Sequence, residues 1–357
     1  MTIAPMGDPR SASGASRRLL AAPDSFKGTA SAARVADAMS AGALRAGWSA
    51  DACPLSDGGE GFLDVLAGLG GEPVTTAVTG PLGDKVEAVW RLAGRDAVVE
   101  SARASGLLLA GGAATNDPVG ATSAGTGELI VAAVAAGAER VIVGVGGSAT
   151  TDGGWGALKV IDAYGGIGGT EILVAADVTV GFEDAARVFG PQKGADRAQV
   201  EELTLRLSRL AQVYRARGVD LDHVAGSGAA GGLAGGLVVA GAKLVPGMDL
   251  VARLLDLDAR IRSARLVVTG EGRLDHTSWK GKVVGSVCAR AVAQSRRVVV
   301  IAGRVERDAL GDRHATEALA QVVDLTACFG VDRAIDDPEG CVALATERAL
   351  LALSGAG

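Results

Sequence analysis

Acidic, hydroxyl and basic side chains cluster with glycine at four places in this 357-residue chain. The clusters are Pro23-Asp24-Ser25-Phe26-Lys27-Gly28, Ser56-Asp57-Gly58-Gly59-Glu60-Gly61, residues 144–154 with Gly146, Gly147, Ser148 and Thr150, and Gly270-Glu271-Gly272-Arg273-Leu274-Asp275 with Lys282 beyond it. Glycine lets backbone amides approach phosphate oxygens, carboxylates can hold Mg²⁺ with its waters, and lysines neutralise developing charge. Together the clusters predict a site for an anionic, phosphate-bearing ligand and a metal ion.

Each cluster alone is also typical of an ordinary turn between a strand and a helix. Glycine and aspartate are common in such turns, and an aspartate there often only caps a helix. The prediction of a site therefore depends on the accumulation of four clusters at corresponding positions.

Short apolar runs precede the clusters and predict buried strands. The runs are residues 19–23, a run ending near 55, and residues 141–144, 172–176, 266–269 and 298–302. Segments of helical period separate them, for example residues 31–46, so the chain is predicted to be α/β with a largely parallel sheet. In such sheets ligands bind outside the carboxyl ends of the strands, where helix N-termini favour negative charge.

Residues 73–99 have a different pattern, since apolar side chains alternate with period two around Gly80-Pro81-Leu82-Gly83. This pattern predicts antiparallel sheet. We therefore expect a disordered tail at 1–16, a discontinuous Rossmann-like domain at 17–72 and 220–357, and an inserted second α/β domain at 73–219.

Composition excludes several classes of protein. The 35 basic and 41 acidic residues are interleaved, with a net charge of −6, so a nucleic-acid partner is not expected. No stretch approaches the ~20 apolar residues that a bilayer span requires. The four cysteines lie far apart without metal-ligand spacing, which predicts free thiols and a cytoplasmic location.

Known nucleotide-binding motifs are also absent. Gly281-Lys282 is followed by Val283, so there is no Walker A motif. The GxGxxG string at 226–231 follows no predicted strand, which argues against a dinucleotide site and favours a glycine-lined loop.

The order and spacing of the motifs resemble the type I glycerate kinase family. The resemblance covers the four clusters and Thr79-Gly80-Pro81-Leu82-Gly83, Glu100 with Ala104-Ser105-Gly106-Leu107, Gly125-Thr126-Gly127-Glu128-Leu129, residues 188–195 and Gly228-Ala229-Ala230-Gly231-Gly232. It implies a Rossmann-like domain and a second α/β domain with an active-site cleft between them, ATP and Mg²⁺ as cofactors, and D-glycerate as phosphoryl acceptor.

On this resemblance we assign roles to individual residues. Asp24 or Asp177 is the expected base, and the other expected catalytic residues are Lys27, Lys193 and Lys282. The expected metal ligands are Asp57, Glu60 and Glu271. The expected substrate- and nucleotide-binding residues are Ser25, Gly58, Gly59, Ser105, Gly125, Thr126, Gly127, Gly146, Gly147, Ser148, Thr150, Gln192, Gly228, Gly270, Gly272 and Asp275.

The chain departs from the family pattern close to this site. Residues 155–170 are shorter than the family's usual segment, and Thr151, the residues after Asp177 and Asp275-His276-Thr277-Ser278 differ from its usual motifs. Two alternatives therefore stay open, namely a non-catalytic protein that binds a nucleotide or organic acid, and a kinase for another small hydroxy acid. The sequence also leaves open 2- or 3-phosphoglycerate as product, and a monomer or homodimer.

Overall fold

A computed structural model describes residues 17–309 and 319–355, so the expected tail at 1–16 lies outside the described residues. The strands are β1 (Arg18–Ala21), β2 (Ser49–Ala52), β3 (Glu72–Thr79), β4 (Lys85–Ala93), β5 (Asp96–Glu100), β6 (Arg140–Gly144), β7 (Glu171–Ala175), β8 (Lys243–Val245), β9 (Leu266–Leu274), β10 (Arg297–Val305) and β11 (Leu319–Asp324). The helices are α1 (Ala32–Arg45), α2 (Phe62–Val65), α3 (Ala102–Ser105), α4 (Ala124–Ala135), α5 (Trp155–Tyr164), α6 (Ala185–Phe189), α7 (Arg197–Ala216), α8 (Leu233–Val239), α9 (Gly247–Leu254), α10 (Leu257–Ser263), α11 (Val283–Ala293), α12 (Leu325–Phe329), α13 (Val331–Asp336) and α14 (Pro338–Gly355).

The chain folds into two compact units. The five-stranded unit takes in residues up to 54, 257–280 and 284 onward, and the six-stranded unit takes in 55–256 and 281–283. The expected second domain, 73–219, lies within the six-stranded unit. That unit also includes 55–72, where Glu100 accepts the amides of Gly61 and Leu63, and 220–256, where β8 pairs with β7.

The five-stranded unit contains an all-parallel sheet in the order β11-β10-β9-β1-β2. The apolar runs of its central strands are buried, as in residues 19–22 and 298–302. This explains their uninterrupted apolar sequences, since helices cover both faces of parallel sheets. Helix α1 packs on α14 and contributes Val35 and Met39 to the core.

The six-stranded unit contains a mixed sheet in the order β3-β4-β5-β6-β7-β8. Strands β3, β4 and β5 are antiparallel, and β5 to β8 are parallel. In the antiparallel part Trp90 is buried and its indole Nε1 donates to Thr76 Oγ1 at 3.0 Å. The change of pattern at residues 73–99 therefore does mark antiparallel sheet.

The predicted α/β class is confirmed, and element boundaries agree within a few residues. The predicted helix at 31–46 is α1, and Ser31 caps it by accepting from the amide of Arg34. Strands β9 and β10 run further than expected, so that β9 includes Gly270 to Leu274 of the fourth cluster and β10 includes Gly303. Residues 155–170 form α5 and the turn that leads into β7. No helix in the described part of the chain is long and apolar enough to cross a bilayer.

Candidate functional site

In the six-stranded unit, the predicted site residues follow strands that are neighbours in the sheet. Strands β5, β6 and β7 are parallel and adjacent, so their carboxyl ends lie at one edge. Glu100 ends β5, residues 145–151 follow β6 and Asp177 follows β7. The topology thus brings together motifs that are far apart in sequence.

Glu100 fastens the loop that contains Asp57 and Glu60 to the end of β5. Its carboxylate accepts from the amide of Gly61 at 3.2 Å and from that of Leu63 at 3.0 Å, and its side chain is 2% exposed. Burial raises the pKa of Glu100, although the two amides and Arg103 act in the opposite direction. Within this loop, Asp57 Oδ1 accepts from the amide of Gly59 at 3.1 Å.

Close backbone packing explains the glycines Gly58 and Gly146. Gly58 has a φ of +97°, and a Cβ there would lie 2.8 Å from the carbonyl oxygen of Ala175. A Cβ on Gly146 would lie 2.4 Å from Cα of Gly59. The amide of Gly146 donates to the carbonyl of Gly58 at 3.1 Å, so it is used within the protein and is not directed at a ligand as expected.

Lys193 is buried beneath the loop that follows β6. Its Nζ donates to Ser148 Oγ at 3.0 Å and to the carbonyl oxygen of Thr150 at 2.5 Å, and the residue is 2% exposed. Burial lowers the pKa of Lys193 to about 7, while Asp152 acts in the opposite direction. Lys193 therefore contacts the protein's own loop, and its expected contact with phosphate stays a prediction.

Asn116 completes this anchorage and was not found from the sequence. Its amide nitrogen donates to the carbonyl of Ala149 at 3.1 Å and to that of Lys193 at 2.9 Å. Three loops are thereby connected, and an isolated asparagine in a loop carries no sequence signal for such a role.

Asp152 lies in the predicted cluster 144–154, but the sequence predicted no individual role for it. Its Oδ2 accepts from the amide and hydroxyl of Ser123 at 2.9 and 2.8 Å and from the amide of Gly156 at 3.1 Å, and its Oδ1 accepts from Gly154. The carboxylate therefore occupies the N-termini of α4 and α5, where an external anion would otherwise be favoured. The pattern Asp-Gly-Gly before a helix was the available signal, since it is typical of a cap.

Several predicted binding residues make packing contacts within the unit. Ser105 Oγ and Thr126 Oγ1 are 2.9 Å apart and hydrogen-bonded to each other, and both residues are fully buried. Thr150 is also fully buried, so its hydroxyl does not face solvent. An added Cβ would meet the carbonyl oxygen of another segment at Gly125 (2.0 Å), Gly127 (2.7 Å) and Gly228 (2.3 Å). These glycines permit close contact between elements of the same unit.

Asp177 caps helix α9. Its Oδ1 accepts from the amide of Gly247 at 2.8 Å and its Oδ2 accepts from that of Met248 at 3.0 Å. Burial raises the pKa of Asp177 to about 6, and Asp57 adds to this while the two amides oppose it. The carboxylate is therefore basic for an aspartate but has both oxygens bonded to the helix.

In the five-stranded unit, the ends of β1 and β9 bring Asp24 to Lys27 beside residues 270–272. The amide of Asp24 donates to the carbonyl of Gly270 at 2.8 Å, and Asp24 Oδ1 accepts from the amide of Ser25 at 2.6 Å. Asp24 is 9% exposed, whereas Lys27 is exposed. A Cβ on Gly272 would lie 3.3 Å from the amide nitrogen of Lys27, so the two segments are in contact.

The remaining predicted residues lie at loop surfaces. Asp275 Oδ1 accepts from the amide and hydroxyl of Thr277 at 2.7 and 2.6 Å. Gln192 and Glu60 are exposed, and Lys282 directly precedes α11. In the described ranges no group of three or more His, Cys, Asp or Glu side chains could hold a metal ion by itself.

Comparison with known proteins identifies the family. The sequence model of the glycerate kinase family matches residues 19–165 and 161–353. The chain belongs to the glycerate kinase family. The match is divided at residues 161–165, within the stretch 155–170 where the second domain is expected to be shortened.

Relatives of this family member are similar over most of their length. The glycerate 2-kinase of Escherichia coli (strain K12) is 39% identical over 356 residues, which cover 89% of this chain and 93% of the relative. The glycerate kinase of Bacillus subtilis (strain 168) is 37% identical over 345 residues, with 86% and 90% covered. A crystal structure from Salmonella typhimurium LT2 named as glycerate kinase 2 superposes with a TM-score of 0.77 at 36% identity, covering 96% of this chain and 99% of that chain.

The contacts of Lys193 predict that this glycerate kinase family member loses stability when the lysine is replaced. Lys193→Met should lower the free energy of unfolding by about 1–3 kcal/mol, because the carbonyl of Thr150 is left buried without a partner. Lys243→Met is the matched control, since Lys243 is 69% exposed and pairs with Glu171 in the same unit. The control should change stability by no more than about 0.5 kcal/mol in urea unfolding. Equal effects of the two substitutions would contradict the anchoring role.

The raised pKa of Asp177 predicts a pH-dependent stability difference between the wild type and Asp177→Asn. The pKa is raised from 3.8 to about 6, so the protonated carboxyl contributes stability below pH 4 that is lost as the pH rises through 6. Between pH 4 and pH 6 the free energy of unfolding of the wild type should fall relative to that of the variant. The fall should be about 2 kcal/mol at most, because solvent screens a partly exposed group. Urea unfolding at intervals from pH 4 to 7.5 measures this, and parallel curves would show that the pKa is not raised.

Proposed function

We propose that this chain is an ATP-dependent glycerate kinase of type I that phosphorylates the 2-hydroxyl of D-glycerate. The observation that carries the proposal is the similarity over most of the chain to relatives named as glycerate kinases, one of them a glycerate 2-kinase. The motif order that resembles type I members supports the subtype. The cytoplasm is the proposed compartment, supported by four cysteines, all in the described part of the chain, that form no disulfide.

The proposed reaction is a phosphoryl transfer. The oxygen of the glycerate hydroxyl forms a bond to the γ-phosphorus of ATP, the bond between that phosphorus and the β–γ bridging oxygen breaks, and ADP leaves. An alcohol is a poor nucleophile near neutral pH, so a carboxylate of the protein must accept its proton. The remaining charge lies on phosphoryl oxygens, which cations stabilise.

We propose Asp24 as the base and Asp177 as a positioning residue. Both oxygens of Asp177 accept backbone amides of α9, which gives it a capping role even though burial raises its pKa to about 6. Asp24 lies at the carboxyl end of β1, beside Lys27 and the glycine-rich segment of β9. This is the edge where ligands of parallel sheets bind.

The carboxylates of the chain suit Mg²⁺ held jointly with the nucleotide. Mg²⁺ usually takes one or two protein carboxylates and completes its shell with phosphate oxygens and water. The proposed ligands are therefore one or two of Asp57, Glu60 and Glu271, which fits the lack of a closed group of ligands in the described ranges. When bound, the ion neutralises charge on the phosphates.

The proposed activity predicts that purified protein releases ADP from MgATP when D-glycerate is present. Without an acceptor, release should be near background, because the hydroxyl is the nucleophile. Phosphorus NMR of the product should show 2-phosphoglycerate, and 3-phosphoglycerate would overturn the assignment of the 2-hydroxyl. Release with another hydroxy acid alone would favour a kinase of different specificity. Nucleotide binding without release for any acceptor would show a non-catalytic binding protein.

The assignment of the base predicts different outcomes for two matched substitutions. Asp24→Asn should lower kcat by about 10²- to 10⁴-fold, the usual contribution of general-base catalysis, while the melting temperature stays close to that of the wild type. Asp177→Asn should keep kcat within about tenfold of the wild type, because one capping oxygen remains. Steady-state kinetics at pH 7.5 make the comparison. The reverse order of effects would assign the base to Asp177.

A further inference from the structure

Two arginines are direct neighbours at the carboxyl edge of the five-stranded sheet. Arg273 in β9 and Arg304 in β10 are paired residues in the parallel register. Paired residues of adjacent strands point to the same face of a sheet, so both guanidinium groups lie on one face. Like charges at such positions repel each other, and the pair therefore needs a counter-charge.

Glu306 supplies one carboxylate for these two cations. Its Oε1 lies 3.0 Å from Nε of Arg273 and 3.4 Å from Nε of Arg304. In residues 17–309 and 319–355, neither guanidinium has an ion pair other than that with Glu306. The cluster thus carries one excess positive charge, and both arginines use Nε, which leaves the terminal Nη groups for a further acceptor.

The arginines are accessible and lie beside a predicted catalytic segment. Their side chains are 68% and 66% exposed, whereas that of Glu306 is 24% exposed. Each arginine follows a glycine, and a Cβ on Gly303 would lie 2.5 Å from the carbonyl oxygen of Gly272. Gly272 in turn touches the backbone of Phe26 and Lys27, so a third exposed cation is carried by the adjoining loop.

The two exposed ion pairs with Glu306 add little to stability. An exposed ion pair contributes about 0–1 kcal/mol, and one arginine would suffice to pair with Glu306. Each guanidinium group also presents N–H donors in a planar fork, the geometry that matches phosphate and carboxylate oxygens.

We propose that Arg273 and Arg304 form an oxyanion-binding site, oriented by Glu306, for a phosphate or carboxylate group of a substrate. The inference rests on the proposed kinase function, in which both ATP and glycerate carry such groups. Arg273 and Arg304 would contact the oxyanion directly. Glu306 acts through them as a positioning residue.

The test compares Arg273→Gln and Arg304→Gln with the wild type in steady-state kinetics, varying ATP and D-glycerate separately. Each variant should raise KM for one and the same substrate at least about tenfold, as expected for a lost charge-assisted hydrogen bond. A shift in KM for ATP assigns the site to phosphate, and a shift for D-glycerate assigns it to the carboxylate. Arg304→Lys should recover part of the loss, because it restores charge without the planar fork.

Arg18→Gln is the matched control. Arg18 and Arg260 share Asp51 at 3.0 and 2.8 Å, the same arrangement of two arginines on one carboxylate, but Arg18 begins β1 at the opposite end of the strand. The control should leave both KM values unchanged, and melting temperatures confirm that every variant folds. Unchanged KM and kcat in both test variants, or an equal effect in the control, would overturn the site.

Failure of the proposed function is distinguishable from failure of this inference. If the wild type shows no turnover, the kinase proposal fails, and binding is measured instead by calorimetry with ATP, D-glycerate and inorganic tripolyphosphate. At least tenfold weaker binding of one probe to both test variants would still support the site. Equal binding by all variants, or no binding of any probe to the wild type, would overturn it.

Discussion

The arrangement of loops in the six-stranded unit depends on the requirement that buried polar groups have hydrogen-bond partners within the protein. Asp152 illustrates this, because one carboxylate accepts from Ser123, Gly154 and Gly156 and so sets where helices α4 and α5 begin. Leaving such amides buried without partners would cost about 1–3 kcal/mol each. The loops that follow the strands are therefore held in place by groups of the chain itself.

The same requirement distinguishes motif residues that stabilise the loops from motif residues that are available to contact a ligand. A motif such as Gly125-Thr126-Gly127 resembles a phosphate-binding turn, yet Thr126 is buried against Ser105 and the glycines allow neighbouring segments to approach. Glycine-rich strand ends can serve close packing and ligand binding equally well. In the five-stranded unit, by contrast, Lys27, Arg273 and Arg304 are exposed, and Glu306 is the one ion-pair partner of both arginines within the described residues.

The sequence was sufficient for the fold class because its signals are local and periodic. A strand whose central part is buried on both faces, such as β10, requires a continuous apolar run there, and the alternation in β4 is typical of antiparallel sheet. The assignment of β8 to the six-stranded sheet was not predictable, since a strand of three residues shows little periodicity. For the site, the strand-end clusters were found, but the partners of Lys193 and the pairing of Arg273 with Arg304 depend on tertiary register that no short motif encodes.

Near neutral pH, the ionisation states of Asp177 and Lys193 have opposite pH-dependent effects on the stability of the six-stranded unit. Burial raises the pKa of Asp177 to about 6, so ionisation of this acid costs stability as the pH rises. Burial lowers the pKa of Lys193 to about 7, so protonation of this base costs stability as the pH falls. At neutral pH both costs are present together, and the hydrogen bonds to α9 and to the loop after β6 offset them. Strongly shifted pKa values are more frequent at functional sites than elsewhere in proteins. Asp177 follows β7, and Lys193 contacts the loop that follows β6.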